Sequence, residues 1–131
     1  MLSHAGVTYT DHHISFREWP ELKSTMPGGQ LPCLEFEDGK KMGESVAITR
    51  YLGRRYGYYP TDPMKAFECD MLLDMYADVI GKVYKPHFER EETKRQVMMP
   101  GIVAAITKFL TNAKAYFLIT SERLTIADFW I

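Results

Sequence analysis

The dipeptide Asp38-Gly39 constrains this chain more than any other short feature. Both residue types accept the backbone angles that reverse an antiparallel pair, which makes the dipeptide a strong hairpin signal. Before it, Leu31-Pro32-Cys33-Leu34-Glu35-Phe36 alternates in the manner of a half-buried strand, and after it Lys40-Lys41-Met42 is the return strand. Beyond Gly43 the period changes. Val46, Ile48-Thr49 and Leu52 fall at helical spacing, and Ser45 is placed to cap the first turn. Asp62-Pro63 then offers a cap residue followed by proline at the first helical position. Phe67, Met71, Met75 and Val79 form one stripe of a long helix that reaches about Tyr84 and that Pro86 ends. A charged stretch from Glu89 to Arg95 leads into another helix, Val97 to about Ala113, with Pro100 inside it. Upstream of the hairpin, His4-Ala5-Gly6 reads as a helix end, and Val7-Thr8-Tyr9-Thr10 reads as a strand extending to Ile14. The segment from Phe16 to Gly29 is irregular, broken by Pro20, Pro27 and Gly28-Gly29. Strands first and helices afterwards make an α+β unit joined to an all-helical one.

Composition narrows the function classes. Lys and Arg total 16 against 17 Asp and Glu, so the chain lacks the basic excess that nucleic-acid binding needs. No apolar run is long enough to span a bilayer, and the first residues resemble no secretory signal. The cysteines, Cys33 and Cys69, have no C-x-x-C or metal-ligand spacing, and they read as buried thiols of a reduced, cytoplasmic protein. His12 and His13 read as surface residues.

Trp19, Lys23, Gly29-Gln30-Leu31-Pro32, Glu44-Ser45-x-Ala47-Ile48-x-Arg50-Tyr51-Leu52 and Thr125-Ile126-Ala127-Asp128-Phe129 stand in an order and spacing that resemble the cytosolic glutathione S-transferases of the sigma, pi, mu and alpha group, sigma most of all. The resemblance runs from Leu2 to Trp130. It implies a thioredoxin-like N-terminal domain followed by an all-helical domain. The corresponding divisions here are residues 1–57 for a partial thioredoxin-like domain, 58–61 for a linker and 62–131 for a partial helical domain. It also implies an enzyme that uses glutathione as co-substrate without a metal, takes a small electrophile as second substrate, and works as a homodimer in its full-length form. Nucleic acid and membranes are not among the expected partners.

Glutathione has two carboxylates, one ammonium and one thiol, so a site needs donors at both ends, an acceptor for the amine and a backbone grip between. By resemblance, Lys23 and the indole N–H of Trp19 receive the glycyl carboxylate, and Gln30 adds an amide contact there. Leu31-Pro32 is the counterpart of a bond that is cis in the family, whose first residue pairs its backbone with the cysteinyl part. Ser45, at a helix N-terminus, receives the glutamyl carboxylate, and Glu44 faces the ammonium where the nearest relatives carry Gln. Asp70, Asp74 and Asp78 lie along one helix face. The first two read as a solvated acidic surface, whereas Asp78 matches a carboxylate that reaches the glutamyl ammonium of the neighbouring subunit. Thr125 and Asp128 read as a capping box that serves folding.

The catalytic group is not among these residues. A free thiol has a pKa of about 8.5, and in the family a tyrosine hydroxyl on the first strand lowers it by roughly two units, about 3 kcal/mol. The chain reads as beginning inside the helix after that strand, and Tyr9 belongs to the next one. Truncation at both ends is therefore expected, together with instability or inactivity of the chain alone. The leading function is glutathione conjugation. The alternatives are a sigma-type glutathione-dependent isomerase, or a non-catalytic glutathione- or ligand-binding relative of the lens-crystallin kind. A thioredoxin-type redox enzyme is disfavoured by the missing C-x-x-C.

Overall fold

The computed structural model describes residues 1–117 and 124–130. They form two compact units, Met1–Tyr59 and Pro60–Ile131.

In the first unit the hairpin forms where Asp38-Gly39 predicts it. Strand β1 (Leu34–Glu35) pairs antiparallel with β2 (Lys41–Met42), Leu34 opposite Met42 and Glu35 opposite Lys41. The connection is longer than a two-residue reversal. Gly39 N–H donates to the Phe36 carbonyl at 2.8 Å, Phe36 N–H donates to the Lys40 carbonyl at 2.9 Å, and Gly39 sits at φ 79°. These bonds describe a turn over Phe36–Gly39 whose last residue is left-handed, the usual three-residue hairpin loop. Asp38 Oδ1 accepts from Lys40 N–H at 2.9 Å and holds the loop from inside.

Helix α2 (Ser45–Tyr56) follows directly, with Phe36 edge-on to Tyr51 at 5.6 Å between ring centroids. Ser45 is its first residue, not its cap; the cap position belongs to Glu44, whose side chain makes no capping bond. The opening residues end in the expected helix stop: Gly6 N–H donates to the Ser3 carbonyl and Val7 N–H to the Leu2 carbonyl, with Gly6 at φ 67°. The segment from Phe16 to Gly29 is more regular than expected. Helix α1 (Trp19–Leu22) and two short 3₁₀ turns, Lys23–Thr25 and Pro27–Gly29, succeed one another between its prolines.

The expected strand over Val7–Ile14 is absent. Residues 7–14 carry no strand pairing, and from Thr8 to Ile14 no backbone hydrogen bond to another described residue is made. β-branched composition favours an extended chain but supplies no partner for its N–H and C=O groups. A trough of about 880 Å³ instead separates residues 8–14 from residues 31–37.

The second unit is helical. Helix α3 (Pro63–Phe88) is capped by Asp62, whose Oδ1 accepts Lys65 N–H at 2.9 Å. It runs past Pro86, because a proline in the last turn removes one ladder bond shortly before the helix stops; Glu89 N–H donates to the Pro86 carbonyl at 3.2 Å. Helix α4 (Glu92–Phe117) starts earlier than its apolar pattern suggests, its first turn held by Lys94–Glu91 and Arg95–Glu92 ion pairs at 2.8 and 2.9 Å. The buried face of α3 is centred on Cys69, Leu72 and Leu73, while Phe67 is 61% exposed. Met75 and Val79 of the predicted stripe pack against the core and Met71 is half-buried, whereas Phe67 stays exposed and the centre of the face falls on residues outside the stripe, since α3 is apolar on more than one side. Leu72 packs with Phe109, Ala113 and Ala127, and Met75, Tyr76 and Val79 close around them. Tyr76 stands edge-on to both Phe109 and Trp130. Thr125 and Asp128 form the expected capping box on a 3₁₀ turn (Ile126–Phe129), with Thr125 N–H donating to Asp128 Oδ2 at 2.6 Å. Among the described residues no helix is long and apolar enough to cross a membrane.

Replacing Asp62 by Ala removes the side-chain acceptor at the start of α3. It is expected to cost about 1 kcal/mol of stability, read as a lower denaturant midpoint of the helical circular-dichroism signal.

Candidate functional site

The expected site residues of the first unit lie on three short segments. The first is an arm around α1. Ser15 N–H donates to Glu18 Oε2 at 2.9 Å, the Ser15 hydroxyl donates to the same oxygen, and Glu18 N–H returns to Ser15 Oγ at 3.4 Å. This reciprocal exchange over Ser15-x-x-Glu18 has the form of a capping box one turn ahead of Trp19, whose N–H donates to the Ser15 carbonyl at 3.0 Å. The Ser15 hydroxyl, then the Ser15 N–H, holds the Glu18 carboxyl below its usual range. The S-x-x-E pattern is a sequence signal for this anchor that the expected site residues do not include, because the prolines after it hide the helical period.

Anchored in this way, Trp19 is half-buried and lines a cleft of about 430 Å³ with Gly29, Gln30, Leu31, Ile14, Ser15 and Phe16. Trp19, Gln30 and Leu31 therefore meet on one cleft. Lys23, four residues beyond Trp19, is exposed and does not line it. Its stem lies across the neighbouring turn, with Cε 3.5 Å from where a Cβ on Gly29 would stand.

The second segment is Leu31-Pro32, whose peptide bond is cis. Leu31 is 47% exposed, faces both the cleft and the trough, and makes no hydrogen bond through its N–H or C=O among the described residues. Those two groups are available to an extended peptide.

The third segment is the junction of β2 and α2. The hairpin opens toward this junction: its pairing ends at Leu34 opposite Met42, two residues from Pro32 in one strand and two from Glu44 in the other. Glu44 has φ 69° and ψ 102°, the only positive φ among the described non-glycine residues, and its side chain is exposed. Such backbone angles cost on the order of 1–3 kcal/mol and cluster at ligand-binding positions. Ser45 opens α2, so its N–H is one of the donors a helix N-terminus leaves without an internal partner. Its carbonyl is already used, accepting Thr49 Oγ1 at 2.9 Å.

Asp78 is exposed on α3 of the second unit. Asp74 is exposed and Asp70 half-buried, and both have interaction partners, so neither is a bare solvated charge. Tyr9 is 49% exposed, lines the trough, and its Oη lies 3.5 Å from Ser3 Oγ. Cys69 is fully buried, which pushes its thiol up, whereas Cys33 is only half-buried. His12 and His13 are exposed as expected. Among the described residues no group of His, Cys, Asp and Glu could hold a metal ion.

Known proteins match this arrangement. The family profile described as glutathione S-transferase, N-terminal domain, matches residues 1–61. Glutathione S-transferase 2 of Caenorhabditis elegans is 34% identical, the match covering 95% of this chain and 72% of the relative. Glutathione S-transferase 2 of Manduca sexta is 32% identical, covering 98% of this chain and 66% of the relative. The chain thus spans about two thirds of the length of these relatives. Among solved structures, prostaglandin synthase D of Nilaparvata lugens superposes with a TM-score of 0.89 at 25% identity, over 98% of this chain and 67% of that one.

Two outcomes follow from the geometry itself. Glu44→Gly relieves a positive φ and is expected to stabilise the chain by about 1 kcal/mol, seen as a raised denaturant midpoint; a lowered midpoint would show that Glu44 is not strained. Glu18 has a depressed folded pKa, so its bonds to Ser15 hold at neutral pH and are lost as pH falls through a value below the ordinary glutamate range. Trp19 fluorescence in a Trp130→Phe background should follow that transition, and Glu18→Gln should abolish it.

Proposed function

The chain belongs to the glutathione S-transferase family, and on that footing we propose that it binds glutathione and that the full-length protein conjugates the glutathione thiolate to small electrophiles. The observation that carries the reading is the convergence of Trp19, Gln30 and the unpaired backbone of Leu31 on one cleft. In this reading Lys23 and Trp19 take the glycyl carboxylate, Gln30 steadies the same end, and Leu31 before Pro32 grips the cysteinyl backbone. Ser45 takes the glutamyl carboxylate with its N–H and hydroxyl, and Glu44 pairs with the ammonium. Asp78 completes that end from the neighbouring subunit of a homodimer. The first unit acts as a thioredoxin-like domain over 1–57, joined by residues 58–61 to a helical domain over 62–131, in a cytoplasmic protein that uses no metal.

Binding and chemistry separate in this chain. Recognition draws on groups within its 131 residues. Ionising the thiol requires a hydroxyl at the sulfur, and Tyr9 instead faces the trough beside Ser3. This supports a second reading, in which the chain by itself is a glutathione binder without turnover. For the full-length protein, the likeness to a prostaglandin synthase adds isomerisation by the same thiol as an alternative outcome.

Equilibrium dialysis with glutathione tests the binding claim. Lys23→Ala and Ser45→Ala should each weaken binding about tenfold, the loss of one charge-assisted hydrogen bond. A chain that does not bind glutathione, or variants that bind as well as the parent, would overturn it. Thiolate absorbance near neutral pH separates the readings: bound glutathione is expected to stay protonated on this chain, and a strong thiolate band would show that it carries its own catalytic group.

A further inference from the structure

The two ends of the proposed site stand on different segments, and a close approach at Gly43 joins them. Gly43 immediately precedes Glu44, and a Cβ added to it would lie 3.2 Å from Pro27 Cβ, 3.5 Å from the Pro27 carbonyl oxygen and 3.9 Å from Pro27 Cγ. The backbone of the β2–α2 junction therefore rests directly on the proline ring, so closely that a methyl group on Gly43 would have to push the ring aside by a few tenths of an ångström.

Neither side of this junction yields easily. The Pro27 carbonyl accepts Gln30 N–H at 3.4 Å, and Gly29 N–H donates to the Met26 carbonyl at 2.9 Å, so a displaced Pro27 carries Gln30 with it. On the other side, Glu44 already occupies a strained backbone conformation. A displacement there passes directly to Ser45 and the start of α2.

We propose that the packing of Gly43 on Pro27 is a positioning spacer: it fixes the separation between the Trp19–Gln30 arm and the Glu44–Ser45 helix start, and so matches the site to a tripeptide with carboxylates at both ends. The inference deepens the glutathione reading and rests on it. Neither Gly43 nor Pro27 touches the peptide in this scheme.

The test compares glutathione with γ-glutamylcysteine, which keeps the glutamyl end and lacks the glycine, using binding to the full chain. Gly43→Ala is expected to weaken glutathione binding about tenfold, the equivalent of one hydrogen bond to the glycyl end, while γ-glutamylcysteine binding changes less than about twofold. General unfolding would weaken both peptides alike. Pro27→Gly removes the ring from the other side without adding atoms, and should show the same selective loss, which keeps the test available if the alanine variant loses its helical signal. In the double variant the added methyl meets no ring, so its loss should not exceed that of Pro27→Gly alone. Equal losses for both peptides, no loss for either, or additive effects in the double variant would overturn the spacer while leaving the glutathione reading in place. A parent chain that binds neither peptide would overturn the glutathione reading and the spacer with it.

Discussion

The register of one short hairpin organises the first unit. The turn over Phe36–Gly39 sets Glu35 against Lys41 and Leu34 against Met42, where the pairing ends. The chain therefore enters the hairpin from Leu31 and leaves it toward Ser45 at the same open end, although thirteen residues lie between Leu31 and Ser45. A slip by one residue would turn the side chains of the slipped strand to the opposite face and shift the Leu31 and Ser45 segments relative to each other. Asp38, through its bond to Lys40 N–H, and Gly39, through its left-handed backbone, guard against that slip. Two residues outside the proposed site thus help to set how its two segments leave the hairpin.

The units differ in how they are stabilised. Every fully buried apolar side chain among the described residues belongs to the second unit, where Leu72, Leu73, Ile126 and Cys69 are almost wholly enclosed. In the first unit the buried positions are Thr49 and Gly53 of α2, and the apolar residues around the trough remain partly exposed. Its order rests on local devices instead: the Gly6 helix stop, the Ser15–Glu18 exchange, the hairpin turn and the packing of Gly43 on Pro27. Local bonds of this kind contribute about 1 kcal/mol each, so the first unit is expected to open at lower free energy than the second.

What can be read in the sequence follows the range of each interaction. Asp38-Gly39, Asp62-Pro63 and Thr125–Asp128 each act within four residues, and each is recognisable from residue types alone. Features that depend on a distant partner are not. Val7–Thr10 has strand composition, but a strand exists only when another backbone pairs with it. The apolar stripe of α3 includes Met75 and Val79, which pack on the core, but not its centre, because Phe67 and Leu72 are both apolar and only packing against α4 and Ala127 tells them apart. Hydroxyl residues usually cap helices, which makes Ser45 the expected cap, whereas the positive φ of Glu44 places the cap one residue earlier. The site behaves in the same way. Motif order names Trp19, Lys23, Gln30 and Ser45, but spacing between segments depends on Gly43, whose role lies in a missing side chain.

The same difference in range explains why recognition and catalysis can part company in this chain. Much of the proposed glutathione site consists of backbone groups, the free N–H and C=O of Leu31 and the N–H of Ser45, held by turns that form locally. Backbone donors need only the right path of the chain, so a modest set of local signals preserves them. Stabilising a thiolate is more demanding, because it needs one hydroxyl aimed at one sulfur inside a desolvated pocket. In the proposed reading the first unit meets the former condition through its hairpin and its spacer. Its Tyr9 hydroxyl is turned to the trough and to Ser3 Oγ, and in that reading it does not serve the latter. Binding geometry and chemical competence therefore rest on different ranges of interaction within the same unit.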